Sequence, residues 1–433
     1  MSRQPFFVSA PGKVIIFGEH SAVYSKPAIA AAISLRAYLL ATPSENEDII
    51  TLEFPDIELS HSWNKKDLPW KQVKSYVTVE NNVPQVTEEL VPEIVDRLAE
   101  SLGDLNTTFH YTTCLCFLYM YMHLCSEETS GRIFCIRSTL PIGAGLGSSA
   151  ATSVCLAACL STLGQHLSEP THKSDEKVFK SKDENSDFID KWSLLGEKCF
   201  HGNPSGIDNA VATYGGAVMY QRMQMPNLPS VRTTMRNFPP LKLLLTSTKI
   251  PRSTAALVGN VSRINTDFPK IAGSILDAME HIATEAYLIM MRPSFCKEDE
   301  TKLRELVDIN HGLLAALGVS HPALEKIKII GDEFAVGSTK LTGAGGGGCA
   351  ITLIKEDCKP EDLERAKKEF SNEGFETFDT SLGGKGVGVL SYSNATDSDS
   401  LNIFDHNRFI QLKDRDDILK LVGVESTPSW RFW

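Results

Sequence analysis

The first half of the chain combines short strand patterns with long apolar helix patterns. Apolar side chains flank a Pro-Gly pair within residues 6–18, which predicts a strand, a turn and a second strand. Residues 109–125 are apolar and contain no helix breaker, so they predict a buried helix. A strand at 133–136, a glycine-rich segment at 141–149 and an apolar helix at 150–163 follow. The glycine-rich segment therefore joins a strand to the start of a helix.

Two segments with little apolar periodicity lie in the middle of the chain. Residues 165–187 are polar and highly charged, and they predict an exposed insertion. Apolar side chains within 188–199 then recur at helical spacing, and Gly202 and Pro204 end that helix. Around 223–229 the composition changes to Met, Pro and Asn, which marks a domain boundary.

Beyond this boundary the pattern is that of a mixed α/β layer followed by a tail. The predicted strands cover 241–245, 375–379, 387–392 and both sides of a glycine-rich loop within 338–354, and the predicted helices cover 268–335, 359–373 and 413–422. We therefore predict a two-domain α/β (α+β) protein, with an N-terminal domain at 1–228, a C-terminal domain at 229–393 and a tail at 394–433 of undefined role.

The composition is that of an ordinary globular protein with an acidic charge balance. Of 433 residues, 42% are hydrophobic and 22% charged, and the formal net charge is -11. This charge argues against nucleic acid or an anionic membrane as a partner. The N-terminus has no signal-peptide pattern and no apolar run is long enough to span a bilayer, so we predict a cytoplasmic protein. The ten cysteines have no metal-binding spacing, which predicts reduced, mostly buried thiols.

The glycine-rich segment is the strongest chemical signal in the sequence. Residues 141–150 read Pro-Ile-Gly-Ala-Gly-Leu-Gly-Ser-Ser-Ala. Glycines at alternate positions let the backbone approach a ligand closely, and free N–H groups at a helix start suit a phosphate. The two serine hydroxyls could bind a cation that bridges phosphates. The segment lacks the Gly-Lys-Ser/Thr ending of a Walker A loop, and Ser148 replaces the third glycine of a dinucleotide motif. The alternative is a tight strand-to-helix turn.

Three motifs together resemble those of the galactokinase, homoserine kinase, mevalonate kinase and phosphomevalonate kinase superfamily. The segment at 141–150 resembles its phosphate loop, residues 9–20 resemble its first motif and residues 340–349 its third. Residues 16–24 and 201–209 are similar to the mevalonate kinase branch. The resemblance implies two α/β domains with the active site in the cleft between them. It also implies phosphoryl transfer from ATP to the 5-hydroxyl of (R)-mevalonate, a step of isoprenoid and sterol biosynthesis.

The resemblance assigns roles to individual residues. Asp208 matches the residue that accepts or orients the proton of the substrate hydroxyl, and Lys13 matches the lysine that contacts this carboxylate and the transferring phosphate. Ser149 and Glu197 match the ligands of Mg²⁺. The residues assigned to ATP are Lys13, Ser138, Gly143, Ala144, Gly145, Leu146, Gly147, Ser148 and Ser149, and those assigned to the substrate are Glu19, His20, Thr254 and Ala344.

Taken singly, these residues have simpler explanations. A lone Glu197 would be a solvated helix carboxylate, and a lone Asp208 would be a turn or cap residue. Lys13 alone would be a surface lysine, and His20 a core histidine with its hydrogen bonds satisfied. Arg252 could clamp a substrate carboxylate or pair with a surface acid, and it stays unassigned.

The second glycine-rich loop, at 343–348, has five glycines in six positions. Such a segment costs conformational entropy on folding, so it needs a structural or functional reason. We expect it to approach the bound phosphates from the second domain. The alternative is a tight β-hairpin.

Three other functions remain open. The first is a different kinase of the superfamily, acting on phosphomevalonate or galactose. The second is a non-catalytic ligand sensor, which should have lost Asp208 or Lys13, although both are present. The third is a nucleotide-binding scaffold that assembles through the tail. The resemblance also implies a homodimer.

Overall fold

The fold is built around two long antiparallel strands, β1 (Phe6–Phe17) and β2 (Ala28–Pro43). The computed structural model describes residues 4–103, 105, 107–141, 143–173, 183–223, 230–235, 238–239, 241–394 and 402–433. The predicted boundary at 228–229 lies outside the described residues.

The described elements are a mixture of strands and helices, which agrees with the predicted α/β (α+β) class. The remaining strands are β3 (Ile49–Phe54), β4 (Leu59–Asn64), β5 (Val79–Glu80), β6 (Val83–Pro84), β7 (Arg132–Ser138), β8 (His172–Lys173), β9 (Ala217–Gln221), β10 (Val231–Met235), β11 (Leu241–Ser247), β12 (Gly337–Thr342), β13 (Cys349–Ile354), β14 (Glu376–Leu382), β15 (Gly388–Ser391) and β16 (Arg431–Phe432). The α-helices are α1 (Trp70–Lys74), α2 (Pro92–Leu102), α3 (Thr108–Leu124), α4 (Ser148–Leu163), α5 (Glu184–Glu197), α6 (Ile207–Tyr214), α7 (Thr254–Asp267), α8 (Pro269–Met290), α9 (Lys297–Ala316), α10 (Pro322–Glu333), α11 (Pro360–Asn372), α12 (His406–Ile410) and α13 (Arg415–Val422).

The strands form two sets that meet at β2. In the first set β2 pairs with β1, β7 and β9, β7 pairs with β3, and β9 pairs with β10. The second set has the order β12–β13–β11–β14, and it joins β2 through one pair, Leu382 with Ile33. The chain leaves the first set after β10 and returns to it at β15, which pairs with β1.

The predicted strand, turn and strand at 6–18 is wrong in one respect, because the Pro-Gly pair does not reverse the chain. Strand β1 continues through it, and only its register against β2 shifts between Pro11 and Lys13. A proline cannot donate to a strand ladder, and a bulge tolerates that loss. Gly12 serves packing, since a Cβ there would lie 2.8 Å from the carbonyl oxygen of Leu146.

Helices α3 and α4 form the apolar core behind the first set of strands. Both are hydrophobic around most of their circumference, and both are buried over most of their length. A helix that is apolar on all sides is stable only when other elements surround it. Helix α4 packs on β1 and β2, and it also contacts α5 and α6. The predictions of a buried helix at 109–125 and an apolar helix at 150–163 are confirmed.

The described part of the tail packs against the first set of strands. The aromatic residues Phe404, Phe409, Trp430 and Phe432 are buried in a cluster with Phe7 and Tyr38. Strand β16 pairs with β15 on one side and with β8 on the other. Strand β8 and the start of α5 lie within the predicted insertion at 165–187. The predicted helix at 413–422 is confirmed by α13.

Among the described helices, none is both long enough and apolar enough to cross a membrane. The ten cysteines all lie in described residues and are free thiols, and eight of them are buried.

Candidate active site

The phosphate loop lies where the sequence places it, between β7 and the start of α4. Gly143, Gly145 and Gly147 have φ values of 71°, 79° and 72°, a region that side chains with a Cβ rarely adopt. Gly147 caps α4, so the first N–H groups of the helix face the loop. The amide of Lys13 donates a 2.8 Å hydrogen bond to the carbonyl of Leu146 and fixes the loop against β1.

Lys13 and Asp208 form an ion pair beside this loop. Lys13 Nζ lies 3.2 Å from Asp208 Oδ2 and 3.3 Å from the carbonyl oxygen of Gly145. The lysine side chain is 9% exposed and the aspartate side chain 30%. Asp208 lies in the first turn of α6, where the helix dipole stabilises a negative charge. A Cβ at Gly147 would lie 3.1 Å from Lys13 Cγ, and the backbone there has a φ of 72°, so a glycine suits this position.

Ser149 and Glu197 meet at the start of α4. Ser149 Oγ donates a 3.2 Å hydrogen bond to Glu197 Oε1, and His201 Nε2 lies 3.5 Å from the same hydroxyl. Glu197 ends α5 and is buried, and its Oε2 has no hydrogen-bond partner in the described part of the chain. Burial and the charge of Asp208 raise the pKa of Glu197 to about 8. A buried carboxylate oxygen without a partner fits a cation ligand, because a cation would compensate its desolvation.

Glu19 lies deeper than the other predicted site residues. Lys340 Nζ donates to its Oε1, and Asn310 Nδ2 donates to its Oε2 at 3.2 Å. Both members of the ion pair are almost completely buried. Burial raises the pKa of Glu19, while the neighbouring ammonium opposes that shift. The structure therefore places Glu19 where it joins β1 to β12, with both carboxylate oxygens already bonded.

His20 connects the first motif to the second glycine-rich loop. Its Nε2 lies 2.8 Å from the carbonyl oxygen of Ala344, and burial lowers the pKa of its imidazole. The segment 343–348 connects the antiparallel strands β12 and β13, so the hairpin alternative is correct for its topology. Thr254 lies exposed at the first position of α7. Ser138 ends β7, and its amide donates to Asp56 at 2.7 Å.

Arg252 is the residue that the sequence left unassigned, and it bridges the two glycine-rich loops. Its guanidinium donates to the carbonyl oxygens of Ala144 at 3.1 Å and Thr342 at 3.3 Å. A Cβ at Gly348 would lie 2.1 Å from Arg252 Nη1, so the glycine makes room for this side chain. His201 was also missed, although it stands in the motif at 201–209. The sequence around Arg252 and around His201 does not distinguish either residue from an ordinary surface arginine or histidine.

The two-domain fold, with a glycine-rich loop opening a buried helix, defines a kinase of the GHMP class. The family model of the GHMP kinase N-terminal domain matches residues 116–216, and that of the GHMP kinase C-terminal part matches residues 291–374. Within this class the chain belongs to the mevalonate kinase family. It is 57% identical to the mevalonate kinase of Candida albicans over 434 residues, covering 100% of both chains.

Two further comparisons agree with this family. The chain is 44% identical to the mevalonate kinase of Saccharomyces cerevisiae over 409 residues, covering 90% of each chain. It is similar to the crystal structure of the Methanococcus jannaschii mevalonate kinase, with a TM-score of 0.62 and 26% identity. That match covers 87% of this chain and 98% of the other. The predicted family and fold class are therefore confirmed.

Proposed function

We propose that this chain transfers the γ-phosphoryl group of ATP to the 5-hydroxyl of (R)-mevalonate at the phosphate loop, with Lys13 and Asp208 beside the reacting groups. The observation that carries this proposal is the convergence of four side chains from β1, α4, α5 and α6 around one glycine-rich loop. Phosphoryl transfer needs positioned phosphates, charge compensation and an oriented nucleophile. The loop amides position the phosphates, and the Lys13 ammonium compensates their charge. The Asp208 carboxylate orients the nucleophile.

Asp208 accepts the proton of the substrate hydroxyl as the hydroxyl oxygen attacks the γ-phosphorus. A new oxygen–phosphorus bond forms, the bond between the γ-phosphorus and the bridging oxygen breaks, and ADP leaves. The transfer is direct, without a phosphorylated enzyme. Lys13 lies close enough to Asp208 to orient its carboxylate, and its positive charge stabilises the transferring group.

Ser149 and Glu197 are the residues that would hold a divalent cation, and we infer Mg²⁺ because the proposed ligands are oxygen atoms. When bound, this ion neutralises phosphate charge that would otherwise repel the incoming oxygen. Ser149 stands at the start of α4, so its hydroxyl lies at the end of the phosphate loop. Glu197 keeps one buried oxygen free of protein partners in the described residues.

The substrate lies on the side of the loop that faces the second domain. His20, Thr254 and Ala344 come from three segments around that side, and we assign them to mevalonate. Glu19 is assigned to mevalonate with them, and its oxygens also hold Lys340 and Asn310. We also propose that the protein is a cytoplasmic homodimer, as the family resemblance implies.

A coupled assay of ADP release tests this function. The purified protein should release ADP with (R)-mevalonate and ATP, and it should do so only when Mg²⁺ is present. Phosphomevalonate and galactose should give less than a hundredth of that rate. Equal or faster turnover of either compound would assign the chain to another kinase of the class. ATP binding without turnover of any of them would support a scaffold.

A further inference from the structure

A large cavity borders the phosphate loop, and Asp208 is not among the described residues that line it. It has a volume of about 850 Å³, and the loop residues Pro141, Gly143 and Ala144 form one wall. Ser138, at the end of β7, lies at its base. If the terminal phosphate of a nucleotide lies beside Lys13, the rest of the nucleotide has to leave the loop in another direction. This cavity is adjacent to the loop and has room for a nucleoside.

The tail also lines this cavity. Asp414, Arg415 and Asp416, at the start of α13, line it together with Phe378 of β14. The Arg415 guanidinium lies over the Phe378 ring, 4.4 Å from its centroid. The tail therefore contacts the second set of strands at the same place where it borders the cavity.

Arg415 has an unused hydrogen-bond donor at this wall. Its Nη1 is buried without a partner in the described part of the chain, and the side chain as a whole is 30% exposed, so the guanidinium must turn for this nitrogen to reach a ligand. The nearest carboxylate is weakly engaged, because Asp416 Oδ1 lies 4.0 Å from Nε. A buried donor without an acceptor is unfavourable, so such a group indicates a missing partner.

Most other charged groups of the cavity have a partner within the protein. Arg137 Nε holds Asp56 Oδ1 at 2.9 Å, and Glu376 Oε2 lies 3.7 Å from Lys249 Nζ. Asp414 accepts from the amide of Asp417 and caps α13. Of the two cations that line the cavity in the described residues, Lys249 has a carboxylate partner, and Arg415 keeps a donor nitrogen without one.

We propose that the tail forms part of the nucleotide site, and that Arg415 donates a hydrogen bond to the base or ribose of ATP. The proposal rests on the proposed function, because it takes ATP as the ligand of the phosphate loop. It gives the tail a role in nucleotide affinity. Base ring nitrogens and ribose hydroxyls are acceptors that match a guanidinium, which only donates.

The test compares Arg415→Ala with Arg408→Ala, which removes an exposed arginine of the same tail that does not line the cavity. Arg415→Ala should raise the KM for ATP roughly tenfold, equivalent to about 1.4 kcal/mol. The kcat and the KM for mevalonate should stay within twofold of wild type. Arg408→Ala should match wild type in all three constants. An unchanged KM for ATP in a folded Arg415→Ala protein would overturn the proposal.

Binding measurements show whether Arg415 contacts the nucleoside or the phosphates of the ligand. By calorimetry, Arg415→Ala should weaken ADP about tenfold and leave inorganic tripolyphosphate unchanged. Equal weakening of both would place Arg415 on the phosphates and contradict the proposal. If Arg415→Ala disturbs the tail, as a lower melting temperature would show, Arg415→Lys serves in its place. It keeps the charge and the stem over Phe378, and it should still weaken ADP, since the planar donor is lost.

The same experiments distinguish this proposal from the proposed function. A wild-type protein that binds ADP but does not phosphorylate mevalonate refutes the function alone. A wild-type protein that phosphorylates mevalonate, with an Arg415→Ala variant that binds ADP normally, refutes the role of the tail alone.

Discussion

Lys13 Nζ and Asp208 Oδ2 lie 3.2 Å apart, across the gap between the first strand and the first turn of α6. The pair is separated by almost two hundred residues of sequence, and the phosphate loop passes beside it. The carboxylate is more exposed than the lysine, so it can meet a substrate from the cleft while the lysine holds it in position.

Replacing Asp208 by Asn should lower kcat by at least ~10²-fold, because the amide cannot accept the proton of the substrate hydroxyl. The two side chains have nearly the same shape, so the melting temperature should change little. The control is Asp267→Asn, which alters an exposed aspartate of α7 that pairs with Arg263. Near wild-type turnover by Asp208→Asn would remove Asp208 from its proposed role.

Glu197 should make metal binding depend on pH. Its pKa of about 8 in the metal-free protein means that the carboxyl is mostly protonated at pH 7. A cation binds the ionised carboxylate, so binding should release close to one proton at pH 7, and metal affinity should rise with pH until about pH 8. Titration of the protein with Mg²⁺ and ADP in a calorimeter measures this proton. The experiment is done in two buffers of different ionisation enthalpy.

The matched variant for this measurement is Glu197→Gln, which has no proton to release. It should bind the nucleotide with little proton release and need more Mg²⁺ for half-maximal activity. Equal proton release by wild type and Glu197→Gln would show that the proton comes from another group.

The buried pair of Glu19 and Lys340 should behave as a unit in stability measurements. Lys340→Met leaves a buried carboxylate without its cation, and it should cost about 3 kcal/mol or more in the free energy of unfolding. The double variant Glu19→Leu, Lys340→Met should recover most of that loss, since it removes both charges. Urea unfolding of the two single variants and the double variant measures the coupling.

An exposed pair provides the comparison for this cycle. Lys302 and Glu298 lie one helical turn apart on α9 with exposed side chains, and Lys302→Met should leave the unfolding midpoint unchanged. If the Lys340→Met variant is as stable as wild type, Glu19 takes up a proton without lowering the free energy of unfolding, which contradicts the prediction.

Much of the architecture could be predicted because it depends on local patterns. The apolar helices α3 and α4, the phosphate loop between them and the helix at 415–422 all have signals within a few turns of chain. The Pro-Gly pair at 11–12 misled the prediction because its local preference is a turn. Strand β2 pairs with β1 both before and after this pair and keeps β1 extended, and no local pattern shows that such a neighbour is present.

The parts of the site that were missed depend on contacts between distant residues. Arg252 bonds to Ala144 and Thr342, and only the fold brings these three together. The tail is a similar case. Trp430 is buried against Tyr38 with ring centroids 6.2 Å apart, and a separation of nearly four hundred residues hides this contact from a sequence pattern.

A crystal structure with Mg²⁺, a non-hydrolysable ATP analogue and (R)-mevalonate tests the central claim most directly. We expect the triphosphate on the amides of the phosphate loop, the metal at Ser149 and Glu197, and the substrate 5-hydroxyl within hydrogen-bond distance of Asp208. A nucleotide bound away from residues 143–149, or a 5-hydroxyl beyond reach of Asp208, would contradict the account.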